Sequence, residues 1–224
     1  MKPDKWIIID DGPQPLPKEL LQKSAVPIEY GWYKQFLPAS TPFNSAQALA
    51  RVSTQKCIFI DDDDYYPPTY IEALSQKLDN KENTLVAEEK WIDYRLSTGY
   101  YRIRHLHTES YRPGCTFFEW HSAGITGKEL REYMQKVLLA NPNGRYNDRT
   151  CYENIFLKGI FSFLTVDFGK DSCISLKDYG TGNPGAIKTH FSNDGMTEDK
   201  DFKFFKEHLG EDWHRYEKYL GRLK

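Results

Sequence analysis

The stretch IFIDDDDYYPP, residues 58–68, ends an apolar run in four consecutive aspartates, Asp61 to Asp64. Crowded carboxylates repel one another, so such a cluster costs stability unless water screens it or a cation sits among its oxygens. The run before it, residues 57–60, reads as a short buried strand. After it, Pro67 and Pro68 suit a helix start, and Ile71, Leu74 and Leu78 form the apolar stripe of that helix. Strand, acidic turn and helix in this order put the carboxylates at the carboxyl end of a strand, where α/β sheets bind their ligands.

The same pattern occurs upstream. Residues 6–9, Trp-Ile-Ile-Ile, stop at Asp10-Asp11-Gly12-Pro13, a buried strand followed by a turn. Between the two strands, residues 27–30 read as another short strand, and residues 44–52 carry Ala46, Leu49 and Val52 at helical spacing. This alternation predicts an α/β sheet of parallel strands with both acidic turns at the carboxyl ends.

Further along, residues 85–87 and 100–106 read as strands. Thr126 and Glu129 form a capping box for a helix bearing Leu130, Met134, Val137 and Leu138. Asn147 or Asp148 caps another helix reaching about residue 160, and residues 161–168 are strand-like. Residues 178–184 are rich in turn formers. From Thr197 on, Phe202, Phe205, Leu209, Tyr216 and Leu220 recur at helical spacing, with Gly210 as a break.

The 224 residues, 39% hydrophobic and 15% aromatic, suit one globular domain. A net charge of -2 gives no global positive field to draw in nucleic acid. No apolar run reaches bilayer length and the start lacks a signal-peptide pattern, so we expect no membrane insertion and a cytoplasmic protein. Cys57, Cys115, Cys151 and Cys173 lack CxxC spacing, which points to reduced, mostly buried thiols rather than a zinc ribbon or a disulfide framework.

WIIIDDGP followed by FNSAQALARVSTQKCIFIDDDDYYPPTYIEAL resembles the nucleotide-sugar half of GT-A glycosyltransferases of the family 2 type, specifically over residues 6–78 and loosely after about residue 120. The resemblance implies a Rossmann-like mixed sheet flanked by helices in a single domain over residues 1–224. Residues 6–90 would bind the nucleotide sugar, 91–195 would form the acceptor and catalytic half, and 196–224 would be C-terminal helices. It implies transfer, with inversion, of a sugar from a nucleotide diphosphate donor, most simply a uridine diphosphate sugar, to an acceptor hydroxyl. The cofactor it implies is Mn2+ or Mg2+, a hard ion that would neutralise the diphosphate.

By that register Asp63 ligates the metal and Asp61 faces the ribose or sugar, because alternate residues of an extended segment point the same way. A shift to Asp62 and Asp64 stays open. Asp64 accepts a bond from the donor sugar or orients the turn. The resemblance also implies that Asp10 and Asp11 would contact the nucleoside and that His190 in IKTHFSND would be a third metal ligand. The base that deprotonates the acceptor falls on Asp148, with Asn147 where the family has Glu; a second alignment falls on Glu153 and Asn154.

Glu119, Trp120 and His121 lie where the family builds acceptor walls. The acceptor classes left open are a saccharide, a protein and a modified base in nucleic acid. GYYRIRHLHTESYR, with Arg102, Arg104, His105, His107, Tyr111 and Arg112, is a basic and aromatic patch able to track phosphate, or an ordinary half-exposed strand. The resemblance departs in one respect: the family's first strand and helix are missing before Trp6, so that either the chain is truncated, its start is assigned too far downstream, or another segment such as residues 161–168 fills that place. Outside the family, a nucleotidyltransferase would share the layout but should carry a glycine-rich basic loop, which the sequence lacks. A non-catalytic cation- or carbohydrate-binding module would explain the aspartates without chemistry.

Overall fold

The computed structural model describes residues 2–33, 41–106, 123–141, 151–156, 158–177 and 195–220. Strands β1 (Trp6–Asp10) and β2 (Ile28–Trp32) pair in parallel, with the short helix α1 (Lys18–Leu21) between them. Helix α2 (Thr41–Arg51) packs on β1 and leads to β3 (Lys56–Ile58), whose downstream neighbours are the aspartates. Helix α3 (Tyr70–Lys77) follows them.

β3 is the edge of a four-stranded sheet in the order β3-β7-β4-β8, where β4 is Thr84–Glu88, β7 is Ala123–Thr126 and β8 is Ser162–Val166. β4 and β8 are parallel, and β7 runs antiparallel to both β3 and β4. Opposed residues share a face, so Cys57, Ile125 and Leu85 point one way and Ile58, Gly124 and Val86 the other. Lys56, on the second face, reaches the Ser75 carbonyl of α3 at 3.0 Å, whereas Cys57 lies beside Arg131 of α4 (Lys128–Ala140). The sheet is therefore covered on both faces, and β4 is buried along its whole length.

A single residue, Glu89, separates β4 from β5 (Lys90–Arg95), where the chain enters a second sheet. With β6 (Tyr100–His105), β9 (Ile174–Lys177) and β10 (Thr197–Glu198) its order is β10-β6-β5-β9, and β5 and β9 are parallel. Its apolar face, with Tyr94, Ile174 and Leu176, packs under α5 (Lys203–Leu209), where Phe205 meets Tyr94 at a ring separation of 4.5 Å. Asp199 fixes that helix. Its carboxylate accepts from Tyr94 Oη at 2.7 Å and from the N–H groups of Phe204 and Phe205 at 2.8 and 3.0 Å.

The result is a single α/β domain with mixed sheets flanked by helices. Among the described residues no helix is long and apolar enough to cross a membrane. Several expectations are corrected. Among the described residues the strands form three sheets with mixed directions rather than one parallel sheet, because hydrophobic periodicity carries no strand direction. Residues 161–168 do supply β8, but it lies at the far edge beside β4 and fills no place next to β1.

Pro67 and Pro68 precede α3 instead of opening it, and the Pro67 carbonyl accepts the Tyr70 N–H at 2.9 Å. The capping box of α4 does not form. Thr126 ends β7 and its hydroxyl accepts the Thr84 N–H at 3.2 Å. The cap comes instead from Asn83, whose Oδ1 accepts the Leu130 N–H at 3.3 Å while its amide donates to Glu129 at 3.3 Å. Gly127 makes room for it: a Cβ there would meet Asn83 Oδ1 at 2.0 Å, and its φ of +90° is one that side chains avoid. After α5 the chain continues in 3-10 turns over Gly210–Arg215 and Glu217–Tyr219 rather than in a second helix.

Candidate metal centre

Asp61, Asp63 and Asp64 each offer a carboxylate oxygen, and these atoms lie within 4.8 Å of one another. Asp61 and Asp63 are exposed and Asp64 is half-buried. Three hard oxygen donors converging in this way form a cluster capable of coordinating a divalent cation. Asp62 is not in the cluster; it lines a neighbouring cavity instead.

The turn is held from one side by β9. Tyr65 and Ile174 exchange backbone hydrogen bonds at 2.9 and 3.0 Å, and the Leu176 N–H donates to Asp64 Oδ1 at 2.9 Å. From behind, Tyr66 Oη accepts the Asp61 N–H at 2.9 Å. The Tyr66 ring packs on Tyr70 at 5.3 Å, and Tyr70 Oη donates to Glu88 Oε2 at 3.2 Å, an oxygen that also accepts the Cys173 N–H at 3.3 Å.

Glu88 is fully buried, and its Oε1 has no hydrogen-bond partner among the described residues. Burial pushes its carboxyl up to about 7, against the opposing pull of donors from Ser172, Cys173 and Tyr70. Burial, reinforced by the nearby Asp64 and Glu88 carboxylates respectively, also holds the Tyr66 and Tyr70 hydroxyls far above the ordinary phenol range, so both stay neutral.

The first acidic turn is built differently. Asp10 Oδ1 accepts the Gly12 N–H at 2.8 Å, and Oδ2 accepts Tyr30 Oη at 2.5 Å and the Leu16 N–H at 3.2 Å. Its carboxylate thus organises the turn itself. Asp11, half-buried, follows it. Asp10, Asp11, Asp61 and Asp62 all line one cavity of about 1000 Å³, so the two acidic turns that the sequence singled out border a common space.

The other expected site residues, Asp148, His190, Glu119, Trp120 and His121, lie outside the described residues, as do Asn147, His107, Tyr111, Arg112 and Cys115. Glu153 and Asn154 sit half-buried in a π-helical turn, Tyr152–Phe156. Arg102 and Arg104 converge on the buried Asp93, at 2.8 Å each, and Tyr101 stacks on Phe204 at 3.8 Å. The described part of this patch, Tyr100–His105, is strand β6 of the second sheet. Cys57, Cys151 and Cys173 are free thiols, the last two buried.

Sequence reasoning missed the support behind the aspartates: Tyr66, Tyr70, Glu88 and the whole of β9. Tyr65 and Tyr66 stand in the opening stretch, and their adjacency to the carboxylates was the available signal. No family model and no curated protein sequence matches the chain.

Proposed function

We propose that the protein is a metal-dependent glycosyltransferase of GT-A type that takes a nucleotide diphosphate sugar, most simply a uridine diphosphate sugar, and transfers the sugar to a hydroxyl with inversion. The observation that carries this reading is the three-carboxylate cluster beyond β3 beside a second acidic turn on the same cavity. A bound Mn2+ or Mg2+ would supply charge neutralisation at the diphosphate. Asp63 and Asp61 would hold it from this turn, with His190 as a further ligand, and Asp64 would join them while holding the turn to β9.

Asp11 is the better nucleoside contact of its pair, since Asp10 is engaged in its own turn. In the transfer, the bond from the anomeric carbon to the diphosphate oxygen breaks with its electron pair leaving on the diphosphate. The acceptor oxygen bonds to that carbon from the opposite side, and its proton passes to a carboxylate assigned to Asp148. Glu119, Trp120 and His121 would form the acceptor wall, for a saccharide, a protein or a modified nucleic-acid base.

A thermal-shift series of nucleoside diphosphates with and without Mn2+ tests the reading, because ligand bound to the native state raises the melting temperature. A rise with uridine diphosphate that requires Mn2+ is expected. No rise with any nucleotide in the presence of Mn2+ would sink it.

A further inference from the structure

β4 is buried along its whole length and ends in a carboxylic acid, Glu88, at 0% exposure. An apolar side chain of similar size would suit that place better, since a buried ionisable group costs stability unless its bonds offset the cost. The backbone of Glu88 is fixed by β8: Glu88 is in register with Val166, and the Glu89 N–H donates to the Val166 carbonyl at 2.7 Å. Whatever its side chain grips is therefore anchored to the interior of the four-stranded sheet.

Two tethers leave Glu88 Oε2, and both lead to the acidic turn. Through Tyr70 Oη, at 3.2 Å, it fixes the ring on which Tyr66 packs, and Tyr66 Oη accepts the Asp61 N–H. Phe168 packs on Tyr70 as well, at a ring separation of 5.4 Å. Through the Cys173 N–H, at 3.3 Å, Glu88 fixes the residue before Ile174, where the chain bonds to Tyr65 and then, by Leu176, to Asp64. Tyr70 and Cys173 are fully buried, so water competes for neither bond. One carboxyl thus joins α3 to β9, and Asp61 and Asp64 are each held from one end of that join.

We propose that Glu88 is a positioning residue of the metal centre: it stands behind the aspartates, and through Tyr70 and Cys173 its protonation state sets how tightly Asp61, Asp63 and Asp64 hold a divalent ion. This inference rests on the cation reading given above. Burial pushes the Glu88 carboxyl up to about 7. The groups that face it are Tyr70 from α3, Ser172 and Cys173 ahead of β9, and Tyr66 beyond Tyr70, while on the β8 side Asp167 is paired with Lys90 at 2.6 Å. Ionisation turns both bonds at Oε2 into charge-assisted ones, roughly twice as strong, and sets a negative charge behind the cluster. Each effect favours the bound cation. Affinity therefore rises as the pH passes about 7, and the cation in turn draws the proton from Glu88.

The test is Mn2+ binding to the full chain without nucleotide, read from the spin resonance of the free ion at about pH 6 and about pH 8, either side of the Glu88 titration. Glu88→Gln keeps an acceptor oxygen and cannot ionise. It should match the unaltered chain within about twofold at the lower pH and bind about fivefold more weakly at the higher one. Tyr70→Phe cuts one tether while keeping the ring, and should weaken binding by about threefold or more at both. Any ligand that titrates, His190 included, changes the unaltered chain and Glu88→Gln alike, so the difference between them reads Glu88 alone. Equal affinities at the higher pH, or a loss in Glu88→Gln of the same size at both, would overturn the proposal. If Asp63→Ala abolishes binding in either case, the cation reading survives that failure. Absence of Mn2+ uptake by the unaltered chain ends both.

Discussion

Leu176 donates its backbone N–H to Asp64 Oδ1 across 112 residues of sequence, so the acidic turn beyond β3 is held by the edge strand β9 of the other sheet. Asp64 therefore serves the fold as well as the candidate cation cluster, and Asp63 lies exposed at the same turn.

This division separates two substitutions. Asp63→Ala should abolish Mn2+-dependent turnover of the donor with the melting temperature nearly unchanged, since exposed substitutions cost within about 0.5 kcal/mol. Asp64→Ala should abolish turnover and also destabilise by about 1–3 kcal/mol, because the Leu176 N–H loses a charged acceptor. Donor hydrolysis and urea unfolding, measured side by side, check the pair. Unchanged turnover in Asp63→Ala would remove it from the metal centre.

Glu88 gives a pH dependence with a definite sign. Its folded-state pKa of about 7 lies above the ordinary 4.5, so the folded protein holds a proton that the unfolded chain has released. Stability from this group is full below about 4.5, declines as pH rises to about 7, and is level above that. The total is on the order of 3 kcal/mol. Glu88→Gln should flatten the dependence, and urea unfolding at pH 5 and pH 8 would expose any failure of the variant to do so.

The Asn83 cap predicts a non-additive pair. Gly127→Ala drives a methyl into Asn83 at a φ of +90° and should cost about 2–4 kcal/mol. Asn83→Ala removes the cap for about 1 kcal/mol. The double variant should fall short of the sum, because the clash with Asn83 Oδ1 is gone. Thermal melts of all four proteins give the coupling, and strict additivity would contradict the packing.

Asp199 ties Tyr94 to the start of α5. Asp199→Ala strands a buried hydroxyl and two N–H groups, a loss of about 3 kcal/mol or more. Hydrogen exchange should show Lys203–Leu209 opening before β4 does; simultaneous opening would show that the helix is held by other contacts.

The legible features were those carried by local pattern. Ile-Ile-Ile before Asp10 and Ile-Phe-Ile before Asp61 announced strands with acidic ends, and Ala46 with Leu49 announced α2. The illegible ones depend on distant partners. Nothing near Thr126 shows that its hydroxyl will turn to Thr84 and surrender the helix cap to Asn83. Nothing in Ile-Ser-Leu-Lys, residues 174–177, shows that a strand of four residues will brace an aspartate far upstream. Lys90–Arg95 escaped notice because Glu88, Lys90 and Asp93 interrupt its apolar alternation, and the burial of Glu88 and Asp93 is decided by Tyr70 and by Arg102 with Arg104.

The brace from β9 also sets a timetable. A ribosome that has released the four aspartates has yet to make the strand that aligns them, and non-local pairing of this kind forms late. A nascent chain ending before Ser172 carries the carboxylates on an unbraced loop, so the three-carboxylate cluster is complete only once the two sheets dock.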